Sequence, residues 1–193
     1  MTAIAVDRTL IFRFSEDWAA RHWDAPTEQR GSPRKKVDVV AAGPFALLVE
    51  AKDDRIKDAA SLGRRKKAVR TGEFCEDIAI KFRHSTEDIC AKAALPGSEP
   101  FYRAFVAEWD EGRRQLVLWW ELPPSPPSGE GTLDERWKAH LSARQNTLKQ
   151  RLRDLSPRVR IANQRFHPNV VTGMTVADIA DGIGYRRETV RPR

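Results

Sequence analysis

The sequence has little cysteine and no long apolar run, and both absences restrict what the protein can be. Cys75 and Cys90 are the only cysteines in 193 residues and do not form a CxxC pair. A disulfide framework or a thiolate zinc site is therefore not expected, and a reducing cytoplasm is the simplest compartment. No stretch is apolar enough to span a bilayer, and residues 1–7 lack the features of a signal peptide. We expect a cytoplasmic protein without a membrane partner.

Several signatures of common enzyme classes are missing as well. The sequence contains no GxxxxGK[ST] loop, so the chain is not expected to hydrolyse ATP. It also contains no GxSxG nucleophile turn and no HExxH pair, and its four histidines are scattered. These absences argue against P-loop ATPases, hydrolases with a nucleophile elbow and zinc peptidases.

Basic residues are abundant, and they point to a polyanionic partner. The chain has 34 Lys and Arg against 27 Asp and Glu, a formal net charge of +7, which favours nucleic acid. Phosphate contacts are predicted for the run Arg64, Arg65, Lys66 and Lys67 and, in the next predicted helix, for Lys81 and Arg83. A solvated helix face is the alternative interpretation of such a run.

The order of apolar and polar residues predicts a mixed α/β fold, with a central β-sheet flanked by helices. Two β-rich runs, 37–40 and 45–52, flank a turn at 42–44 and predict a hairpin. A second hairpin is predicted over 101–122, and strands over 4–14 and 158–166. Helices are predicted over 15–23, 73–94, 132–155 and 175–183.

The Pro/Gly/Ser-rich run over 123–131 is the clearest break in the chain. A composition of this kind is typical of an exposed connection. We therefore predict a core over 1–122, the connection over 123–131, and a basic, mainly helical C-terminal extension over 132–193.

Three charged residues of the first predicted hairpin suggest a chemistry. Glu50 and Lys52 are two residues apart on a predicted strand and so share a face. An odd-length loop near Gly43 would put Asp38 on that same face, whereas an even loop would turn Asp38 away. Two carboxylates on neighbouring strands suit Mg²⁺ or Mn²⁺, and the ammonium beside them can position an attacking water.

The order Asp38…Glu50-Ala51-Lys52 resembles the D…ExK signature of the PD-(D/E)XK nucleases, which have a restriction-endonuclease-like core. The resemblance covers residues 15–52 and departs at Val37, where the family often has proline. It implies Asp38, Glu50 and Lys52 as catalytic residues. It also implies metal ligation by Asp38, Glu50 and the Ala51 carbonyl, and by an acid on a preceding helix. Glu16 matches that last position, with Asp17 and Glu28 as alternatives.

The resemblance implies a Mg²⁺-dependent endonuclease that cuts DNA in preference to RNA, in phage defence or restriction. Because the chain lacks a motor, a second copy or a separate ATPase or sensor subunit is the expected protein partner. Other interpretations stay open. Glu50 and Lys52 can be a solvated surface pair, the site can be inactive in a nucleic-acid-binding module, and residues 175–190 resemble part of a helix-turn-helix regulator.

Overall fold

The computed structural model describes residues 1–6, 9–24, 34–124, 126–156 and 158–179. This part of the chain contains eight strands and four helices, and the first five elements are all strands. The strands are β1 Thr2–Val6, β2 Leu10–Phe14, β3 Ala19–His22, β4 Val39–Ala42, β5 Ala46–Asp53, β6 Arg114–Glu121, β7 Val159–Ala162 and β8 Met174–Asp178. The helices are α1 Ala59–Thr71, α2 Glu73–Ala93, α3 Pro100–Asp110 and α4 Leu133–Arg151. The predicted mixed α/β class is confirmed.

A mixed five-stranded sheet forms the centre of the fold, in the order β3-β4-β5-β6-β7. The first three strands are antiparallel neighbours, whereas β5, β6 and β7 run parallel. A parallel pair needs a long crossover connection, and α1, α2 and α3 supply it between β5 and β6. The central strand β5 is buried on both faces.

Alternate residues of β5 enter two separate cores, as the period of a strand requires. Ala46 and Leu48 face the helices, where they join Ile78 and Phe82 of α2. Leu47, Val49 and Ala51 face the opposite way, into the three-stranded sheet of β1, β2 and β8. Glu50 and Lys52 continue the helix-facing series, so their side chains lie on the side of α2.

The chain after residue 131 is built into both sheets. α4 begins with a capping box between Thr132 and Glu135, a motif that marks the N-terminus of a helix. β7 then extends the five-stranded sheet beside β6, and β8 pairs with β2. Through residue 179 this segment therefore consists of one helix and two strands, where a mainly helical extension was predicted.

Three predicted elements were wrong in type. Residues 15–23, predicted as a helix, form a turn and the edge strand β3, because pairing with β4 outweighs the helical tendency of so short a segment. Residues 102–108 lie in α3, where Phe101, Phe105 and Trp109 recur at the helical spacing of four. Residues 174–178 form β8, where a helix over 175–183 was predicted, and residues 180–190 of the segment that resembles a helix-turn-helix lie outside the described residues.

Other predicted elements agree with the structure. The hairpin of β4 and β5 and the helix α2 are confirmed, and so are strands within 114–121 and 159–162. Across the described ranges, none of the helices combines the length and apolarity that crossing a membrane would require.

Candidate functional site

The hairpin register places Asp38 directly across from Glu50. Ala42 pairs with Ala46 around a three-residue connection, and Val39 pairs with Val49. Continued by one residue beyond the last pair of β4, this register puts Asp38 opposite Glu50, and Asp38 Oδ2 accepts a hydrogen bond from the Ala51 N–H at 2.6 Å. The odd-length connection thus brings Asp38 to the face of Glu50 and Lys52.

Two ammonium groups converge on one oxygen of Glu50. Lys81 of α2 donates from Nζ to Glu50 Oε1 at 2.8 Å, and Lys52 donates to the same oxygen. Glu50 is fully buried, whereas the side chains of Lys52 and Lys81 are slightly exposed. Because an unpaired buried carboxylate would be costly, these two contacts explain how Glu50 is tolerated on a central strand.

The pKa of Asp38 reflects the crowding of charge at this point. Burial and, after it, the neighbouring Glu50 carboxylate raise the pKa of Asp38 to about 7, against the lowering effect of Lys52 and Lys81. Burial opposes the charge of Lys81, but Glu50 and Asp38 outweigh it, and the pKa of the Lys81 ammonium is raised. Near pH 7, the protonated and ionised forms of Asp38 are therefore both populated.

The carboxylates of Asp38 and Glu50 fit a divalent cation in chemistry but are few in number. Glu50 Oε2 is buried and has no hydrogen-bond partner among the described residues. It is therefore a carboxylate oxygen that could serve as a metal ligand. Carboxylate oxygens of this kind suit Mg²⁺ and Mn²⁺. Within the described ranges, however, no group of three or more His, Cys, Asp or Glu side chains is arranged to hold a metal.

The segment before Asp38 is fixed to α2 by ion pairs. Three consecutive basic side chains reach acids on that helix: Arg34 pairs with Glu87, Lys35 with Asp77, and the buried Lys36 with Asp88. The Val37 N–H donates to Ser85 Oγ at 3.0 Å. These contacts hold Asp38 against the same helix that supplies Lys81, which explains why the two meet.

The structure does not bring Glu16 to the site. Glu16 is exposed in the turn between β2 and β3, not on a helix, and β3 pairs with β4 so that this turn lies at the Ala42 end. Asp38 lies four residues away along β4, roughly 13 Å at about 3.3 Å per residue. Asp17 lies in the same turn, and Glu28 lies outside the described residues.

Asp24 was missed by the sequence analysis and lies closer. The preceding residue, Trp23, donates its backbone N–H to the Asp38 carbonyl at 2.8 Å. Asp24 is near enough to Lys81 to contribute to the raised pKa of that ammonium. Asp24 lies two residues after the end of β3. This position gave no signal in the sequence, because residues 15–23 were predicted as a helix.

A basic cleft opens beside Lys52. A cavity of about 580 Å³ lies between α1, α2 and the end of β5, and Lys52, Arg64 and Arg65 line it. Lys66 and Lys67 are exposed on the same helix, α1. The cleft also has acidic residues of α2 in its wall, namely Glu73, Glu76 and Asp77.

Arg83 and Lys81 have other partners than those predicted from the sequence. The Arg83 guanidinium pairs with Asp154 and also donates to the Arg151 carbonyl at 2.5 Å. It therefore ties α2 to the end of α4. Lys81 contacts Glu50 and not a surface groove.

A second charged cluster lies on the opposite face of the sheet and was not predicted from the sequence. Arg55 donates from Nη2 to Asp53 Oδ2 at 2.6 Å and to Asp178 Oδ1 at 2.8 Å. Glu121, which is paired with Asp53 across the parallel strands, accepts from Trp119 Nε1 at 2.9 Å. Burial raises the pKa of Glu121, whereas the Arg55 hydrogen bonds outweigh burial at Asp53 and lower its pKa.

Comparisons with known proteins give no family for this chain. The chain matches no protein-family model, no curated protein and no solved structure. Its function has to be argued from the residues and their geometry.

Proposed function

We propose that the protein is a metal-dependent nuclease that hydrolyses phosphodiester bonds, in DNA in preference to RNA, and that it has a restriction-endonuclease-like core. The observation that carries the proposal is the placement of Asp38 directly across the hairpin from Glu50, with Lys52 on the same face. That arrangement agrees with the D…ExK resemblance, in which the aspartate and ExK lie on the two strands of a hairpin.

Each residue of the cluster has a distinct role in this proposal. Asp38 and Glu50 would hold Mg²⁺ or Mn²⁺, with Glu50 Oε2 as the free donor and the Ala51 carbonyl as a further ligand. The bound ion would polarise the scissile phosphate and lower the pKa of a water. Lys52, which is both in contact with Glu50 and exposed to the cleft, would position that water and stabilise negative charge in the transition state.

The basic side chains near Lys52 support a phosphate-backbone substrate. Arg64 and Arg65 line the cleft that Lys52 enters, and Lys66 and Lys67 extend the positive surface along α1. Contacts of this kind position a strand without reading its sequence. Action in phage defence or restriction, with a second copy or a separate ATPase or sensor subunit, is the corresponding biological proposal.

A cleavage assay with matched variants tests the proposal. Purified protein is incubated with plasmid and with single-stranded DNA and RNA, in Mg²⁺, Mn²⁺ or EDTA. We expect nicking that requires metal and is lost in Asp38→Asn and in Lys52→Met. Glu16→Gln is the matched acidic control and should cut like the wild type. Cleavage that persists equally in Asp38→Asn would contradict the proposal.

One observation favours a second candidate, a nucleic-acid-binding module without catalysis. Lys52 and Lys81 together compensate the charge of Glu50 without a metal ion, so the cluster is also compatible with a purely structural ion network. In that case Mn²⁺ would not raise the melting temperature, whereas DNA would still bind with a steep salt dependence. A cleaving wild type that loses activity in both variants excludes this candidate.

A further inference from the structure

A second cavity adjoins the basic cleft. It has a volume of about 530 Å³ and lies between α1, α4, the end of β6 and the proline-rich connection. Arg65 lines both this cavity and the cleft that contains Lys52. The volume is within the range of small-molecule sites, roughly 300–1,000 Å³.

The charged residues that line this second cavity are all basic. They are Arg65, Lys66 and Arg70 from α1 and Arg144 from α4, and no Asp or Glu is among the lining residues. Arg65 has Asp54 at 3.6 Å. For the other three cations, the described ranges contain no acidic side chain within ion-pair distance.

Two of these guanidinium groups have buried donors without an acceptor. Arg65 Nη1 and Arg144 Nε have no hydrogen-bond partner among the described residues. A buried donor that lacks an acceptor destabilises the fold. Both side chains line the cavity, and a phosphate there supplies several acceptor oxygens for the guanidinium groups.

The remaining wall is aromatic and apolar. The His140 ring lies 5.6 Å from that of Trp120 and 5.8 Å from that of Trp137, measured between centroids. All three side chains line the cavity. Burial and the nearby Arg144 lower the pKa of His140, so its imidazole is neutral at pH 7 and adds a planar surface without charge. Trp120 and Trp137 are nearly fully buried, so the half-buried ring of His140 is the part of this wall on which a planar base can stack.

We infer that this cavity binds a nucleotide, with the base against the aromatic wall and the phosphate beside the basic residues. Two sources share this chemistry. One is a free mononucleotide, whose binding does not depend on the protein being a nuclease. The other is a single nucleotide of a bound strand, which rests on the proposed function, because the strand would reach the cavity from the cleft past Arg65.

Calorimetric titration in EDTA, where no cleavage occurs, tests the inference. Full-length protein is titrated with AMP, adenosine and ribose 5-phosphate. We expect AMP to bind more tightly than either fragment, because only AMP has both the base and the phosphate. Arg144→Gln and Lys66→Gln should each weaken AMP binding about tenfold, the loss of one charge-assisted contact. Lys138→Gln is the matched control, an exposed lysine of α4 that does not line the cavity, and it should bind like the wild type.

A second arm identifies the source of the nucleotide. A single-stranded oligonucleotide with one 2-aminopurine is added in EDTA, and its fluorescence is compared for the wild type, Lys66→Gln, Arg144→Gln and Lys138→Gln. A change that Lys66→Gln and Arg144→Gln abolish and Lys138→Gln retains, without AMP binding, assigns the cavity to a nucleotide of the strand. Saturable AMP binding assigns it to a free nucleotide. If neither ligand responds to Lys66→Gln or Arg144→Gln, the inference is overturned, whatever the cleavage assay gives.

Discussion

Lys81 Nζ lies 2.8 Å from Glu50 Oε1, and this contact joins the long helix α2 to the central strand β5. It places a positive charge beside two carboxylates, because Asp38 faces Glu50 across the hairpin. The contact has a consequence for the protonation of the whole cluster. Burial raises the pKa of Asp38, and Lys52 and Lys81 each lower it.

Replacing Asp38 by Asn is expected to stabilise the protein at alkaline pH when no metal is present. The pKa of Asp38 is raised from 3.8, its ordinary value, to about 7 in the folded protein. Between these pH values, the folded protein therefore keeps a proton on Asp38 that the unfolded chain has released. The stability contributed by that proton declines as pH rises and is absent above pH 7. Asp38→Asn removes this effect, so at pH 8 its free energy of unfolding should exceed that of wild type by on the order of 4 kcal/mol, the pKa shift of Asp38 converted at roughly 1.4 kcal/mol per unit. At pH 4 the two proteins should be nearly equal.

Denaturant titrations of both proteins in EDTA at pH 4, 6 and 8 measure this difference. The comparison isolates Asp38, since all other groups titrate in both proteins. Mn²⁺ should raise the melting temperature of wild type at pH 8 and leave that of Asp38→Asn unchanged, because binding to the folded state alone is stabilising. A variant that is destabilised equally at all three pH values would contradict the expected pKa.

Lys81 is expected to act as a positioning residue, whereas Lys52 acts in the cleft. Lys52→Met should reduce cleavage about a hundredfold or more. Because Lys52 also lowers the pKa of Asp38, metal binding in this variant should persist at alkaline pH. Lys81→Met removes a charge that lowers the pKa of Asp38, so the pH at which Mn²⁺ binds should move upward. Lys81→Arg keeps the charge and should restore the wild-type profile.

Melting temperatures with and without Mn²⁺, collected across pH 6–9, check the Lys81 variants. A merely structural role would lower stability equally at every pH. An unchanged pH profile in Lys81→Met would therefore show that Lys81 does not influence the protonation of Asp38.

The hairpin and its charged residues could be predicted from the sequence because they depend on local spacing. Glu50 and Lys52 share a face through the period of a strand, and the turn at Gly43 sets the register of Asp38. Lys81 and Asp24 could not be assigned in this way. Their positions depend on the ion pairs of residues 34–36 with α2 and on the pairing of β3, which connect distant parts of the chain.

The same distinction explains the elements that were mispredicted. The segments predicted as helices over 15–23 and 175–183 are short, and strand pairing with β4 and β2 outweighs their weak helical signals. The apolar residues of α3 lie at helical spacing, but Tyr102 and Val106 between them give an apparent alternation over a few residues. Short apolar runs of this kind are ambiguous in sequence.

Asp24, and not Glu16, is expected to influence metal binding. Asp24 follows Trp23, whose backbone pairs with Asp38, whereas Glu16 lies at the other end of β3. Asp24→Asn should weaken the stabilisation by Mn²⁺ by on the order of 0.5–1 kcal/mol, through the loss of a nearby negative charge. Glu16→Gln removes the same charge at the remote end and should leave it unchanged. Melting curves over a Mn²⁺ titration compare the two, and equal effects would point to a general charge effect.

Arg55 is expected to stabilise the fold without contributing to the metal site, because it lies on the opposite face of the sheet. Its guanidinium joins Asp53 at the end of β5 to Asp178 of β8, and Arg55→Met would leave the buried Asp53 without its cation. The expected loss is about 3–5 kcal/mol at pH 7.

Asp53 has a lowered pKa, so the stability that its ionised form contributes is complete above pH 3.8 and declines as pH falls through the lower folded value. The difference between Arg55→Met and wild type should therefore narrow toward pH 3. Denaturant titrations measure the difference, and the double variant Arg55→Met/Asp53→Asn, which has no unpaired charge at Asp53, should regain part of the loss. A double variant as unstable as Arg55→Met alone would show that the guanidinium acts through packing and not through Asp53.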